Sequence, residues 1–490
     1  MKKGKKVDTE MKKFEEGNTA FSILYRWSFW TVTSGILMLK CLLIPSYHST
    51  DFEVHRNWMA ITANLPIEQW YYDETSKWTL DYPPFFAYFE CIWSLVANQL
   101  IPSSLRLQKE PIFSLELLYF HRFTVILTDM IYIFGSAFCA NCLARFSRPL
   151  SHLSAEALGI TLVANIPLIL VDNIHFQYNS FLTSFLLFSI GFASKKNYLL
   201  AALFFSILLN FKHIYLYYAP AYIVFYLAEY FCVKNTVEFL SRILKLGLTV
   251  ILPFGLSFGV FAYRSGVMAI WQIISRLFPF QRGLTHAYWA PNLWACYNFV
   301  DFSCYNVLKF LGKLPIESKP PAYTSGLVQE YFHSILPNIP AVVTLLLTLL
   351  LLTPMVTFLF NEISPLNRIA VLLTHSAFAF FLAGYHVHEK AIIMILIPYT
   401  VLAFSDHKYI RSLMNLYVAA NISLFPLFFT FFENCIKVTL AVFSYFFMST
   451  ILGLIENSKQ NRSFLSAAYH LALIAVQSYS LLIHPVSVVT

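Results

Sequence analysis

The chain has 490 residues, of which 58% are hydrophobic and only 12% charged, with a mean hydropathy of +0.60. A soluble domain usually carries about 25% charged residues, so this composition excludes an ordinary soluble enzyme and points to an all-α polytopic membrane protein. The formal net charge of +8 does not imply nucleic acid, because much of it sits in short basic segments between apolar runs, where it sets topology.

Residues 1–26 are polar and lysine-rich and read as a cytoplasmic tail before a signal-anchor helix, not as a cleaved signal peptide. Residues 27–490 read as one multi-spanning domain with two large lumenal loops, 48–117 and 263–338. The first span is 27–47, with Lys40 inside it, placed to snorkel or to face the interior. The stretch 49–90 follows on the side opposite the basic tail, which is lumenal or extracellular. It carries Asp51, Glu53, Glu68, Asp73, Glu74 and Asp81 against only Arg56 and Lys77. Trp58, Trp70, Tyr71, Tyr72, Trp78 and Tyr82 are interleaved with these acids. Carboxylates accept hydrogen bonds from hydroxyls, and flat rings cover the C–H face of a sugar. A membrane-interface belt would explain the rings but does not call for the acids.

The segment 85–101 is apolar but short and follows Pro83-Pro84. Further spans are expected at 118–143, 155–171, 180–193, 198–210, 214–232, 244–262, 339–360, 369–384, 391–404, 412–431, 436–455 and 464–483. With the first, the total is about 13 or 14. Arg145, Arg148, Lys195 and Lys196 belong in the cytoplasm, which requires 118–143 to run inward. On that count 85–101 does not cross, or forms part of a hairpin. By parity, 263–338 and 385–390 share a face with 49–90.

Four polar clusters converge on that face. They are Asp51 to Glu53 with Asp81 and Tyr82; Asp172 to Asn179, including His175 and Gln177; Arg276 to Gly283 with His286, Tyr288, Trp289 and Asn292; and His386, His388, Glu389 and Lys390. Ionisable groups at membrane depth are costly unless paired or useful, so four clusters on one face suggest a site at the membrane surface. Carboxylates beside Arg, Lys and His suit a base working next to an anionic phosphate. Asp51-Phe-Glu53 resembles half of a cation site, but no second acidic cluster partners it. His386-Val-His388 has metal-pair spacing, which alone is a weak signal. His175 and His213 read as buried hydrogen-bonding histidines before catalysts. The eight cysteines are scattered: Cys139 and Cys142 sit in an apolar run and read as packing residues, and only Cys296 and Cys304 share a large polar loop where they could bridge. Asn421 and Asn461 match the glycosylation pattern and are not expected to be used. With no Gly-rich phosphate loop and no nucleotide-binding domain, a lipid-carried donor fits better than a nucleotide sugar.

The runs from Ser49 to Trp58, Leu65-Pro66, Gln69 to Tyr72, Trp78 to Pro84, His175 to Asn179, Arg276 to Pro279 with Arg282-Gly283, and Val387 to Lys390 stand in one order along the chain. In these runs it resembles the dolichyl-phosphate-glucose-dependent glucosyltransferases of the endoplasmic reticulum. Ser49 to Trp58 and His286 to Asn292 look like the member that adds the second glucose. The resemblance implies the type-C glycosyltransferase fold in the endoplasmic reticulum membrane, with the active site facing the lumen. It implies a dolichyl-phosphate-glucose donor and a monoglucosylated nonamannosyl dolichyl-pyrophosphate oligosaccharide acceptor, joined in an α-1,3 linkage. Membrane lipid is a further partner, and nucleic acid is not.

Such a donor is β-linked, so an α product calls for inversion with one general base. The resemblance puts that role on Asp51, which is also the first carboxylate after the first span. Arg282, His388 and Lys390, with Arg276 and Lys212 behind them, are expected to bind the donor phosphate. Glu53, Trp58, Asp81, Tyr82, His175, Gln177 and Trp289 are expected to shape the cleft and hold sugar. The scheme calls for no cofactor and no metal. Two other readings stand beside it: the sister enzyme adding the first α-1,3 glucose, and a transporter of a sugar or lipid carrier, which would predict internal repeats.

Overall fold

The computed structural model describes residues 22–144, 151–278, 282–286, 288–314, 319–323, 330–456 and 464–483. Arg145, Arg148, Pro279, Asn461 and the tail to residue 21 lie outside the described residues. The described chain is helical, with two single backbone bridges, Thr285 with Val387 and Trp289 with His388.

The helices run in order as α1 (Trp27–Leu42), α2 (Asp51–Asn64), α3 (Pro84–Leu100), α4 (Leu115–Ala144) and α5 (Ser151–Val163). A short turn, Ile166–Ile169, and a π-helical turn, Leu170–Phe176, continue α5. Then follow α6 (Asn179–Ser194), α7 (Tyr198–Phe211), α8 (Ala219–Glu229), α9 (Thr236–Ser265), α10 (Val267–Leu277) and α11 (Leu293–Phe310). The last set is α12 (Ala341–Leu352), α13 (Pro365–Ala383), α14 (Ile392–Ser405), α15 (Ile410–Ser423), α16 (Phe431–Glu456) and α17 (Phe464–Ser478).

Among the described residues, seven helical segments are long and apolar enough to cross a membrane. They are Leu115–Leu143, Leu153–Phe176, Thr236–Ser265, Ala341–Leu359, Pro365–Ala383, Phe431–Ile455 and Phe464–Leu481. The expected count of about 13 or 14 is therefore not met by length alone. The other expected spans fold as shorter helices, from the 11 residues of α8 to the 16 of α1 and α6. At 1.5 Å per residue the longest of these reaches about 24 Å, less than a hydrocarbon core of about 30 Å. They need flanking turns, such as His213–Tyr218 before α8, to extend them.

The core lies where α4, α5, α6, α13 and α14 pack together. Gly191 allows α6 close to α4, since a Cβ there would stand 2.5 Å from the Phe138 ring. Lys40 faces inward and pairs with buried Asp129 at 2.6 Å instead of snorkelling. Asn421 is buried and bonded to Ser444, so its side chain is not displayed for glycosylation.

The segment after α3 returns to α2. Arg56, fully buried on α2, donates to the carbonyls of Ser104 and Arg106, and Asn64 donates to that of Leu105. The two helices thus form a hairpin, one of the two arrangements that the topology count allowed. The second polar region is not an open loop but contains α10 and α11. On α10, Gln272 and Arg276 both donate to the Tyr71 carbonyl and so tie the two polar regions together. On α11, Asp301 accepts from the backbone of Ser334, Ile335 and Leu336 and from the Tyr323 hydroxyl. Those bonds hold the Asp301 carboxyl below its ordinary value despite the opposing effect of burial. Cys296 and Cys304, which the sequence allowed to bridge, are both free. They lie eight residues apart on one helix, about 12 Å along its axis, beyond the reach of a disulfide.

Candidate active site

Asp51 is the first residue of α2, where a carboxylate is favoured by the helix dipole. Its backbone N–H donates to Ser49 Oγ, and Ser49 in turn donates through Oγ and N to the His175 carbonyl. This stitches the start of α2 to the π-helical turn. Such turns are rare and recur at functional sites. The turn closes at Phe176 with φ +84°, a left-handed conformation unusual for a ring-bearing residue. The reversal aims the next side chain, Gln177, at Asp51.

Three groups converge on one oxygen of Asp51. Gln177 Nε2 donates to Oδ2 at 2.6 Å, Lys390 Nζ at 2.9 Å, and His175 Nε2 lies 3.5 Å away. Among the described residues Oδ1 receives no hydrogen bond, and the side chain keeps 25% of its surface exposed. One oxygen is held while the other is left for a ligand. Burial by itself would raise the carboxyl, but the Lys390 ammonium and His175 outweigh it and hold Asp51 well below the usual carboxylate range. It is an ionised carboxylate with a fixed orientation.

A polar network backs this arrangement. Gln177 Oε1 accepts from Asn179 Nδ2, which also donates to Asp172. Asp172 further accepts from the Asn179 and Ser180 backbone and the Ser180 hydroxyl. Lys212 donates to Asn179 Oδ1 at 3.0 Å, and its ammonium stands over the Tyr82 ring at 5.0 Å. Burial pushes the Asp81 carboxyl up to about 6, against the pull of Arg282 and with a further rise from the Asp51 charge. Near neutral pH both of its protonation states are within reach, which lets it donate to or accept from a hydroxyl.

The other expected residues divide. Lys390, His175, Gln177, Lys212, Asp81, Tyr82 and Arg282 share the surroundings of Asp51 by contact or by electrostatic effect. Among the described residues the Arg282 guanidinium forms no ion pair, and its carbonyl accepts from Tyr385. Arg276 is committed elsewhere, to the Tyr71 carbonyl and to Glu74 at 2.7 Å. His388 lies in the same turn as Lys390 but stacks on His286, with centroids 3.7 Å apart. Burial, reinforced by the charges of His286 and Lys390, pushes its pKa well below the ordinary value, so it carries no charge near neutral pH. Trp289 is partly exposed, forms a backbone bridge with His388 and packs edge-on to Tyr323.

Glu53 and Trp58 do not line the cleft. Trp58 is 1% exposed and donates through Nε1 to the Thr79 carbonyl. Glu53 takes Nε and Nη2 of Arg56 and the backbone N–H of Ile112. Residues two apart on a helix do not share a face, which is why Glu53 turns away from Asp51. Glu53→Gln is expected to cost about 3 kcal/mol of stability by breaking a buried pair. Thermal unfolding in detergent measures this, and an unchanged midpoint would remove Glu53 from that structural role.

Sequence reasoning did not find the contact of Lys390 with Asp51, because 339 residues separate them. Nor did it join His286 to His386 and His388. Only the mixed charge of the clusters hinted at either.

The chain matches the model of the ALG6, ALG8 glycosyltransferase family over residues 36–490. It is 46% identical over 432 residues to a Caenorhabditis elegans protein named dolichyl pyrophosphate Glc1Man9GlcNAc2 alpha-1,3-glucosyltransferase, covering 86% of this chain and 55% of that one. The chain thus spans about half the length of that relative. A Mus musculus protein of the same name is 42% identical over 91% of this chain and 86% of its own length. One from Schizosaccharomyces pombe is 44% identical over 81% of this chain and 79% of its own length.

Proposed function

We propose, from the premise that this chain belongs to the ALG6, ALG8 glycosyltransferase family, that it is an inverting α-1,3-glucosyltransferase acting on lipid-linked oligosaccharide. The donor is dolichyl-phosphate-glucose, and the acceptor is the monoglucosylated nonamannosyl oligosaccharide on dolichyl pyrophosphate. The names of these relatives support the acceptor and the linkage. The endoplasmic reticulum lumen is the compartment of the site.

The observation that carries the reading is the single ionised carboxylate of Asp51, held on one oxygen by Lys390, Gln177 and His175. Oδ1 takes the proton from the acceptor 3-hydroxyl as that oxygen attacks the anomeric carbon. The bond from the anomeric carbon to the phosphate oxygen breaks on the opposite face, through an oxocarbenium-like state. The leaving phosphate needs charge stabilisation more than a proton, and Lys390 and Arg282 supply it, with Lys212 behind them. His388 is uncharged and contributes no cation. Asp81 and the Tyr82 ring face the sugar. Arg276, bound to Glu74, holds the cleft wall instead of the donor.

The test is transfer by purified protein from a dolichyl-phosphate-glucose analogue to acceptors bearing no glucose or one glucose, with products resolved by mass. The expected product appears only with the monoglucosylated acceptor. Product only with the unglucosylated acceptor would move the chain to the first-glucose reaction. No product with either, from protein shown to be folded, would overturn the transferase assignment.

A further inference from the structure

We propose that Arg122 is a positioning residue of the site: from a buried place on α4 its guanidinium joins the segment that leads into Asp51 to the π-helical turn that leads into Gln177. Arg122 Nη2 donates to the Tyr47 carbonyl at 2.7 Å and to the Ile174 carbonyl at 2.9 Å. One nitrogen with two hydrogens thus serves carbonyls from two distant segments. The side chain is 1% exposed, and its other nitrogens, Nε and Nη1, have no hydrogen-bond partner among the described residues. Its charge therefore acts on backbone carbonyls and not on a carboxylate.

Neither segment is held by regular structure at these points. Tyr47 lies between α1 and α2, and the last carbonyls of a helical turn have no partner within it. Arg122 takes the Ile174 carbonyl, and Ser49, through N and Oγ, takes the next one, of His175. A cation at the carbonyl end of a helical segment is favoured, which offsets part of the cost of burying the guanidinium. Arg122 also stands 5.8 Å from the ring of Phe176, the residue with φ +84°. From the other side, buried Glu433 on α16 accepts from the Tyr47 N–H at 2.8 Å. Tyr47 is gripped at both its N–H and its carbonyl.

Asp51 Oδ2 meets Gln177 and His175 only while these two segments keep their spacing. Lys390 reaches the same oxygen from a third segment. The titratable groups around Asp51 are Lys390, His175, Asp81, Lys212, Tyr47 and Tyr82. Of these, only His175 and Tyr47 belong to the segments that Arg122 joins. Displacing His175 removes one of the two groups that hold the Asp51 carboxyl down, so the carboxyl rises while Lys390 stays. A misplacement of about 1 Å at reacting groups can cost about 100-fold in rate. The part Arg122 plays in catalysis rests on the proposed transfer reaction, whereas the clamp itself does not.

The experiment uses the full-length protein in detergent and two readouts: hydrogen exchange by mass spectrometry over 46–53 and 172–180, and glucose transfer between about pH 5 and 8. The amides of Tyr47 and Ser49, bonded to Glu433 and to the His175 carbonyl, report the clamp. Arg122→Met is expected to exchange faster in both segments and to lose about 100-fold in kcat with donor KM within about threefold. Its acidic limb of kcat/KM should move to higher pH. Lost stability alone would not move that limb, because its position does not depend on how much of the sample is folded. Arg122→Lys keeps a charged nitrogen with enough hydrogens for both carbonyls, and should recover slow exchange and most of the rate. Should Arg122→Met not fold, Glu433→Leu frees the Tyr47 N–H alone: 46–53 should exchange faster while 172–180, still held by Arg122, stays slow. Wild-type exchange at both segments in Arg122→Met would overturn the clamp, as would release of both segments by Glu433→Leu. Faster exchange with an unmoved limb and an unchanged rate would overturn the effect on Asp51. A wild type that transfers no glucose would sink the transfer reading, and the exchange data would still decide the clamp.

Discussion

Asp51→Asn is expected to lower glucose transfer about 1,000-fold while leaving the fold intact. An amide keeps an oxygen to accept from Gln177 and Lys390, so the start of α2 should stay in place. What is lost is the ability to take a proton from the acceptor hydroxyl, together with the negative charge facing the developing oxocarbenium ion. The loss should appear in kcat with little change in donor affinity, because the base acts only as the bond forms. Single-turnover rates with saturating donor and acceptor measure it, with thermal unfolding as the control. A well-folded variant within about tenfold of wild type would remove Asp51 from the role of base.

Lys390→Met should be almost as damaging, at about 100-fold, and should also change the pH profile. Lys390 has two tasks in the proposed mechanism: it offsets the cost of burying the Asp51 charge, and it receives the leaving phosphate. The sign of the pH effect follows from the first task. In wild type the Asp51 carboxyl is held below its ordinary value, so the base stays ionised and the rate persists well into acid. Without the ammonium, burial is no longer outweighed, the carboxyl rises, and the acidic limb of kcat/KM moves to higher pH. Rates taken between about pH 5 and 8 on both proteins would show the shift. An unmoved limb with a lowered plateau would leave Lys390 its phosphate role and deny it the other.

A good part of this molecule was legible without coordinates. The apolar runs and basic connections fixed a helical membrane protein, because a backbone in lipid must satisfy its own hydrogen bonds. The topology count expected 85–101 not to cross or to form part of a hairpin, and the segment after α3 returns to α2. Asp51 stood out as the first carboxylate after the first span. Gln177, Lys212 and Lys390 were also expected at the site, and each takes part in the polar network around Asp51.

The expectations that moved were those where residue type had to stand in for direction. Glu53 and Trp58 have the chemistry of sugar contacts, but α2 turns both into the protein, where Arg56 and Thr79 take them up. Arg276 has the charge of a phosphate ligand but is already bound to Glu74. His388 has the spacing of half a metal site, but it stacks on His286, 102 positions away on another segment. Composition and periodicity report on forces that act along the chain, such as burial, helix formation and the cost of charge in lipid. Which oxygen of Asp51 is held, which is free, and which histidines meet depend on contacts between segments hundreds of residues apart, and packing alone decides those.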